Sequence, residues 1–462
     1  MSAYSRHTIL RRSTFNAAAT VIALFLLAAT SLPQSLDPPK LDLEGAVEKA
    51  LENNPLTKIS ATGIKIADAK IAEAKTGKKP FVQFSQSIVR SNNPVFVFGS
   101  LLEQGRFGSS NFAVDSLNHP SGLFNFRSLV SAQKPIFDQR QTSSRVAQAE
   151  NAKTIADFQA EEVRQALRFD VIRNYYGVVL GQEMVKVNAQ AVESAEANAK
   201  KAKDLAEVGM TTNADYLAAE VETANANQQK LEAENNLHVT VAALNIALGD
   251  KPDIEREYRG NLREIFFPVE EQDELIRIAF ENRPDKKRAD VAVQNSREQT
   301  KSIENQKLPS LNAFGNFGYS SPYVANGSTD YTVGVSLTYT LFDAGRKARI
   351  EQAATGESLA ELQAEQLANQ IRLEVIRASQ NYITARAKIK VSIKSIAQAE
   401  AALRMIRDRY EFGVTTFNEV LRAETALVQA KHNLLNARYD YYISYASIML
   451  ATGRLTDVRA FE

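Results

Sequence analysis

Residues Tyr331 to Leu341 read YTVGVSLTYTL, in which every odd position (Tyr331, Val333, Val335, Leu337, Tyr339, Leu341) is apolar and every even one is small and neutral. A period of two held over this length predicts a strand with one apolar and one polar face, long enough to cross a bilayer when tilted. Tyrosines stand near both ends of the apolar face with aliphatics between them, the order an aromatic girdle gives at a membrane, where the other face would line water. The same alternation suits a half-buried strand of a soluble sheet. Its surroundings decide between the two.

The stretch before it, SLNAFGNFGY from Ser310, also alternates and predicts the partner strand of a hairpin over 310–341. The whole arrangement occurs twice. LDLEGAVEKALENNP carries Ala50, Asn53 and Pro55, and DELIRIAFENRP carries Ala279, Asn282 and Pro284 in step, 229 residues later; Pro80 and Pro309 keep the same offset. Each phrase reads as a short helix stopped at Asn-x-Pro. The first hairpin, 81–136, ends in Ile136-Phe137-Asp138 and the second in Leu341-Phe342-Asp343, now 205 apart. The difference is loop length. Ser91 to Asn125 is long and rich in Phe, Asn and Gly, whereas Ser320 to Asp330 is short; the long one either folds over the mouth of the hairpin or extends its strands.

Beyond each hairpin the period changes to that of a helix. The runs from Gln139 to Ala206 and from Ala344 to Glu411 contain no proline, and at 1.5 Å per residue each reaches about 100 Å. They break at matching tips, EVGMTTNADYL (Glu207 to Leu217) and EFGVTTFNEVL (Glu411 to Leu421), and return as second helices. In the second copy Val420, Ala423, Leu427, Ala430, Leu434, Ala437, Tyr441, Ser444, Ile448 and Ala451 alternate steps of three and four, the seam of a coiled coil, with alanines that allow close approach. Gly209 and Gly413, followed by Thr211-Thr212 and Thr415-Thr416, predict tight turns with threonine N-caps.

The plan is thus an N-terminal segment 1–31, a first repeat 32–250 with helical hairpin 139–249, a connection 251–271, a second repeat 272–453 with helical hairpin 344–453, and a tail 454–462. Composition narrows what this plan can be. Among 462 residues, 55 Lys and Arg against 54 Asp and Glu give no electrostatic reason to expect nucleic acid. Arg6, Arg11 and Arg12 before the apolar run Ala17 to Ala29 read as an export signal, with a membrane anchor as the alternative. The chain has no cysteine, so an N-terminal cysteine lipid anchor is excluded. The four histidines do not cluster, and no phosphate loop, nucleophile elbow or metal-ligand spacing is present, so neither an enzyme nor a cofactor or metal is expected.

If the strands cross a membrane, four are too few. Closed bacterial barrels begin at eight strands, and an open sheet in lipid leaves unpaired edges. Several copies must then share one barrel, continued by coiled coils from the same end of every hairpin. The alternative from another class is an exported periplasmic coiled-coil scaffold or adaptor.

The two Ala-x-x-Asn-x-Pro phrases, Leu341-Phe342-Asp343-x-Gly345, Tyr410-x-x-Gly413 and the run AKHNLLNARYDYYISYASIMLATGRL from Ala430 together resemble the TolC-like outer membrane efflux proteins over nearly all of the mature length. The resemblance implies a mainly α fold with a β-barrel portion, a homotrimer whose twelve-stranded barrel meets outer membrane lipid, and a helical tunnel across the periplasm. It further implies docking to a periplasmic adaptor and an inner-membrane efflux pump or ABC transporter, as the exit duct of a tripartite efflux or type I secretion system. It places Glu419 at a pore constriction with Arg422 where the family has a second acid, and it pairs Tyr410 with Asp215 as a closing hydrogen bond between neighbouring hairpins. Thr415 stands in place of a basic clasp residue. Asp215 and Glu419 also suit helix capping, since both lie in the first turn of a returning helix. The tips (Gly209, Thr211, Thr212, Gly413, Thr415, Thr416) form the implied adaptor-docking edge. Drug, metal and protein cargo all fit so generic a tunnel wall.

Overall fold

The computed structural model describes residues 40–263 and 265–461; the expected export signal lies outside them. A two-residue strand β1 (Lys40–Leu41) precedes helices α1 (Leu43–Asn53) and α2 (Pro55–Lys75), then strand β2 (Phe81–Ser91). Two helices, α3 (Pro94–Glu103) and α4 (Val114–Asn118), separate β2 from β3 (Leu123–Asp138), which leads into α5 (Gln141–Glu207) and α6 (Asn213–Ala247). After β4 (Glu257–Tyr258) the succession recurs as α7 (Gln272–Asn282), α8 (Pro284–Asn305), β5 (Ser310–Ser321), β6 (Ser328–Thr338), α9 (Arg346–Glu411) and α10 (Phe417–Ala451). The first long helices, α5 and α9, have 67 and 66 residues. The returning ones, α6 and α10, have 35 each.

The Asn-x-Pro phrases make corners that receive the ends of these hairpins. Asn54 caps α2 by accepting from Leu56 N at 2.9 Å, Pro55 takes the first helical position, and Asn54 Nδ2 donates to the carbonyl of Ala247 at 2.8 Å. In the second copy Arg283 stands in Asn54's place and donates to the carbonyl of Ala451 at 3.2 Å, held also by Asp285 (2.7 Å) and Glu374 (2.6 Å). Gly249 and Gly453 turn the chain here at φ +77° and +70°, and a Cβ at either would come within 2.8 Å of the corner backbone. That explains why both helical hairpins end in glycine.

A belt of aromatic packing crosses the chain at this level. Phe267, from the connection between the repeats, stacks on Tyr445 with ring centroids 4.2 Å apart and is also flanked by Tyr441, Tyr442 and Phe461. Its N–H donates to Tyr441 Oη (3.1 Å), Tyr382 Oη donates to its carbonyl, and the two hydroxyls lie 3.2 Å apart. Residues 251–271 and the tail thus supply core: Leu262, Phe267, Leu455, Val458 and Phe461 are all buried.

β1 pairs in parallel with β4, and the four longer strands form an antiparallel sheet in the order β2-β3-β5-β6. Above the belt the helices keep that order, with α2 against α5, α5 against α8, and α8 against α9, so each strand continues into its own helix. Below it, α6 packs on α5, α5 on α10, and α10 on α9. The chain is therefore four staves wide throughout. The expected seam is the one buried: Val420, Ala423, Ala430, Ala437, Tyr441, Ser444, Ile448 and Ala451 are inside, with Leu427 and Leu434 packed beside them.

Two sequence expectations change. The strand expected to reach Leu341 ends at Thr338, so Tyr339 and Leu341 lie beyond the ladder. Its partner begins at Ser310, paired with Thr338, and the preceding Pro309 has no N–H with which to continue. Residues 91–125, read as a loop, are instead largely regular: β2 and β3 take both ends, and α3, a 3₁₀ turn (Ser109–Phe112) and α4 lie between. No helix among the described residues is long and apolar enough to cross a membrane.

Candidate functional site

Directly opposed residues of neighbouring antiparallel strands share a face. One row of the sheet reads Phe84, Val130, Phe317, Tyr331 and the next Val82, Ala132, Gly315, Val333, with Ala313 beside Val335 and Leu311 beside Leu337. The alternate rows read Gln83, Ser131, Asn316, Thr332, then Ser85, Leu129, Gly318, Asp330, and then Ser87, Arg127, Ser320, Ser328, polar but for Leu129 and glycine. The sheet therefore has an apolar and a polar face. Among the described residues of one chain nothing covers the apolar face: Tyr331 is 80% exposed, Val333 79% and Phe84 65%. Both outer strands, β2 and β6, present an edge that is unpaired among the described residues.

At the far end of the staves lie two hairpin tips with the same backbone. Gly209 (φ +76°) and Gly413 (φ +69°) occupy the left-handed conformation that closes a helix, with Met210 N donating to Leu205 O at 2.9 Å and Val414 N to Arg409 O at 2.8 Å. Thr212 and Thr416 then start the returning helices.

From there the tips differ. Thr212 makes a complete capping box: its Oγ1 accepts from Asp215 N (3.2 Å), and Asp215 Oδ2 accepts from Thr212 Oγ1 (2.8 Å), Thr212 N (3.3 Å) and Thr211 Oγ1 (2.8 Å). Burial pushes the Asp215 carboxyl up, but hydrogen bonds from Thr212 and Thr211 outweigh it and hold it below the usual carboxylate range. At the second tip Thr416 makes no side-chain cap. Glu419, the counterpart of Asp215, is free of the backbone and lies 3.6 Å from Arg422, one turn along on the same exposed surface. The structure thus brings Glu419 and Arg422 side by side on the surface. It does not join Tyr410 to Asp215 within the chain, since the Tyr410 ring packs on Phe417 at 5.5 Å.

Sequence reading missed two features here. Apolar side chains flank each tip glycine and stand in solvent: Val208, Met210, Phe412 and Val414, the third 84% exposed. The signal was present in Val-Gly-Met and Phe-Gly-Val. Glu424, half-buried, takes both Arg407 of α9 and Asn198 Nδ2 of α5 (2.6 Å), and Lys201 pairs with Glu411 at 3.1 Å, so the two hairpins are tied near their ends. Nothing in the sequence singles out Glu424 among many helical acids. No group of three or more potential metal ligands occurs among the described residues.

A family model described as outer membrane efflux protein matches residues 46–250 and 275–454. The outer membrane efflux protein BepC of Brucella suis is 22% identical, over 97% of this chain and 93% of its own length. The cobalt-zinc-cadmium resistance protein CzcC of Cupriavidus metallidurans is 27% identical over 68% of this chain and 73% of its own. Among solved structures, the Campylobacter jejuni CmeC outer membrane channel superposes with a TM-score of 0.74 at 18% identity, covering 89% of this chain and 85% of that one.

Proposed function

The chain belongs to the outer membrane efflux protein family, and from that premise we propose that three copies close into a channel serving as the exit duct of a tripartite efflux or type I secretion system. A single observation carries this reading. A four-stranded sheet with one apolar face, one polar face and two open edges feeds four helical staves in unchanged order. Joining β6 of one copy to β2 of the next removes the edges, turns Tyr331, Val333, Val335 and Leu337 to outer membrane lipid and leaves the polar face around water. Tyr339 and Leu341, past the ladder, meet the membrane boundary. Transport then needs passage rather than bond chemistry, and the driving energy comes from an inner-membrane pump or ABC transporter.

The tips carry docking and closure. Gly209, Thr211, Thr212, Gly413, Thr415 and Thr416 shape identical turns that hold Val208, Met210, Phe412 and Val414 out as apolar knobs, suited to a periplasmic adaptor that reads many equivalent tips at once. For closure, all three hydrogen bonds to Asp215 fall on Oδ2, which leaves Oδ1 for the Tyr410 hydroxyl of a neighbouring hairpin. Repeated by symmetry, Glu419 lines the constriction with Arg422 beside it, so the field there is weaker than two acids would give. The test is assembly. Val335→Glu prevents recovery of a detergent-extracted trimer, whereas Ser336→Glu is tolerated; recovery of the wild type as a soluble monomer, or the opposite order for the variants, overturns the reading.

A further inference from the structure

The segment between β2 and β3 has no counterpart in the second hairpin, where Ser321 and Ser328 are joined by a short turn. Asn93 Oδ1 accepts from Val95 N (3.0 Å) and Phe96 N (3.2 Å), and Pro94 starts α3. Val97, Ser100 and Gln104 are buried and, three and four residues apart, share one face of the helix. Gln104 Nε2 donates to Asn125 Oδ1 (3.0 Å) and to the carbonyl of Phe124 (2.9 Å). Glu103 accepts from Asn125 and Ser320 (3.3 Å each) and pairs with Arg127 at 2.9 Å, while Arg127 also reaches Ser320 Oγ (3.0 Å) and Asp330 (3.3 Å). Asn125, Arg127, Ser320 and Asp330 all belong to the polar face of the sheet. The helix is therefore latched across β3, β5 and β6 on the side opposite Val333 and Val335.

Its other face is apolar and, among the described residues, uncovered. Val95 is 80% exposed and Leu102 52%, with Phe98 between them on the same stripe. Phe98 meets Phe107 edge-on at 4.9 Å, and Phe107 meets Phe112 at 5.0 Å, so the turn after the helix widens the apolar surface.

We infer that the inserts of the assembled channel meet at the barrel axis and close its outer mouth with an apolar constriction, each stripe covered by the same stripe of the other copies. This rests on the reading of the sheet as one third of a closed barrel. The occupant follows from that closure. The latch holds α3 on the inner face, lipid is confined to the other side of the wall, and rotation about the axis brings Val95, Phe98 and Leu102 to their own equivalents. A narrow apolar ring sheds water and blocks ions. One cation holds two carboxylates in the latch, so removing Arg127 sets Glu103 against Asp330 and releases the helix.

Because the chain has no cysteine, single-cysteine variants report without background. In the detergent-extracted trimer, oxidation of Val95→Cys or Leu102→Cys produces covalent chain pairs on a denaturing gel, Val335→Cys on the lipid face does not, and adding Arg127→Ala lowers the yield of pairs several-fold. Absence of pairs at both insert positions in a protein that still runs as a trimer overturns the constriction and leaves the channel reading standing. A yield unchanged by Arg127→Ala overturns the latch. A monomer before oxidation removes the channel reading itself. As a second measurement, replacing residues 92–122 by Asn-Gly in an Asp215→Ala background raises single-channel conductance above that of Asp215→Ala alone; equal conductance counts against an outer constriction.

Discussion

The two hairpin tips share a backbone and divide its chemistry. Gly209 and Gly413 make the same left-handed turn, yet the first tip spends its acid on the helix start while the second leaves its acid loose beside a base. A repeated phrase thus conserves geometry while the side chains within it take different work. Tip one is a closed hydrogen-bonded unit whose carboxylate has one oxygen committed. Tip two is exposed, with an ion pair that at such exposure contributes about 0 to 1 kcal/mol and is readily rearranged. Tip one is held in place by its own hydrogen bonds, and tip two is free to rearrange.

The contrast is broken most sharply by charge. Arg422→Glu changes two charge units per chain and sets two acids one turn apart, so the cation preference of the channel rises several-fold, measured as reversal potential in a salt gradient across a planar bilayer. Unchanged selectivity removes tip two from the constriction. A smaller effect separates the caps: Thr212→Ala costs about 1 kcal/mol, which is about five-fold faster amide exchange in the first turn of α6. Thr416→Ala leaves the first turn of α10 unchanged, because its hydroxyl makes no cap. Equal responses would erase the distinction. The smallest effect is that of acid. Asp215 has a folded-state pKa depressed below its unfolded value, so its contribution is present above the unfolded value and is lost as pH falls through the folded one. The exchange difference between Thr212→Ala and wild type therefore persists at about pH 5 and shrinks only below about pH 4.

Much of the architecture was legible because local pattern and global fold agree in this chain. The offset between Pro55 and Pro284, the alternation from Tyr331 and the three-four seam from Val420 each report a single periodic environment, and the duplication lets one copy check the other. The insert escaped because it has no second copy to check against. Its signal was nonetheless present: Asn93-Pro94 opens α3 with the cap and proline that Asn54-Pro55 uses to open α2. The end of β6 differs because alternation continues past Thr338 while pairing stops where the partner strand begins, just after Pro309. The partners of Glu424, Asn54 and Arg283 were out of reach for a related reason. Each is chosen by residues more than a repeat's half-length away or on a neighbouring stave, and sequence spacing carries no record of that distance.

The aromatic belt has a mechanical consequence. Each stave runs from strand to helix without a crossover, so the chain is a set of four parallel levers with one clamp, where Phe267 is pinned between Tyr382, Tyr441 and Tyr445. Levers clamped in the middle bend separately at their two ends. The belt is in this sense a collar at mid-length, through which α5 and α9 run unbroken from the sheet to the tips.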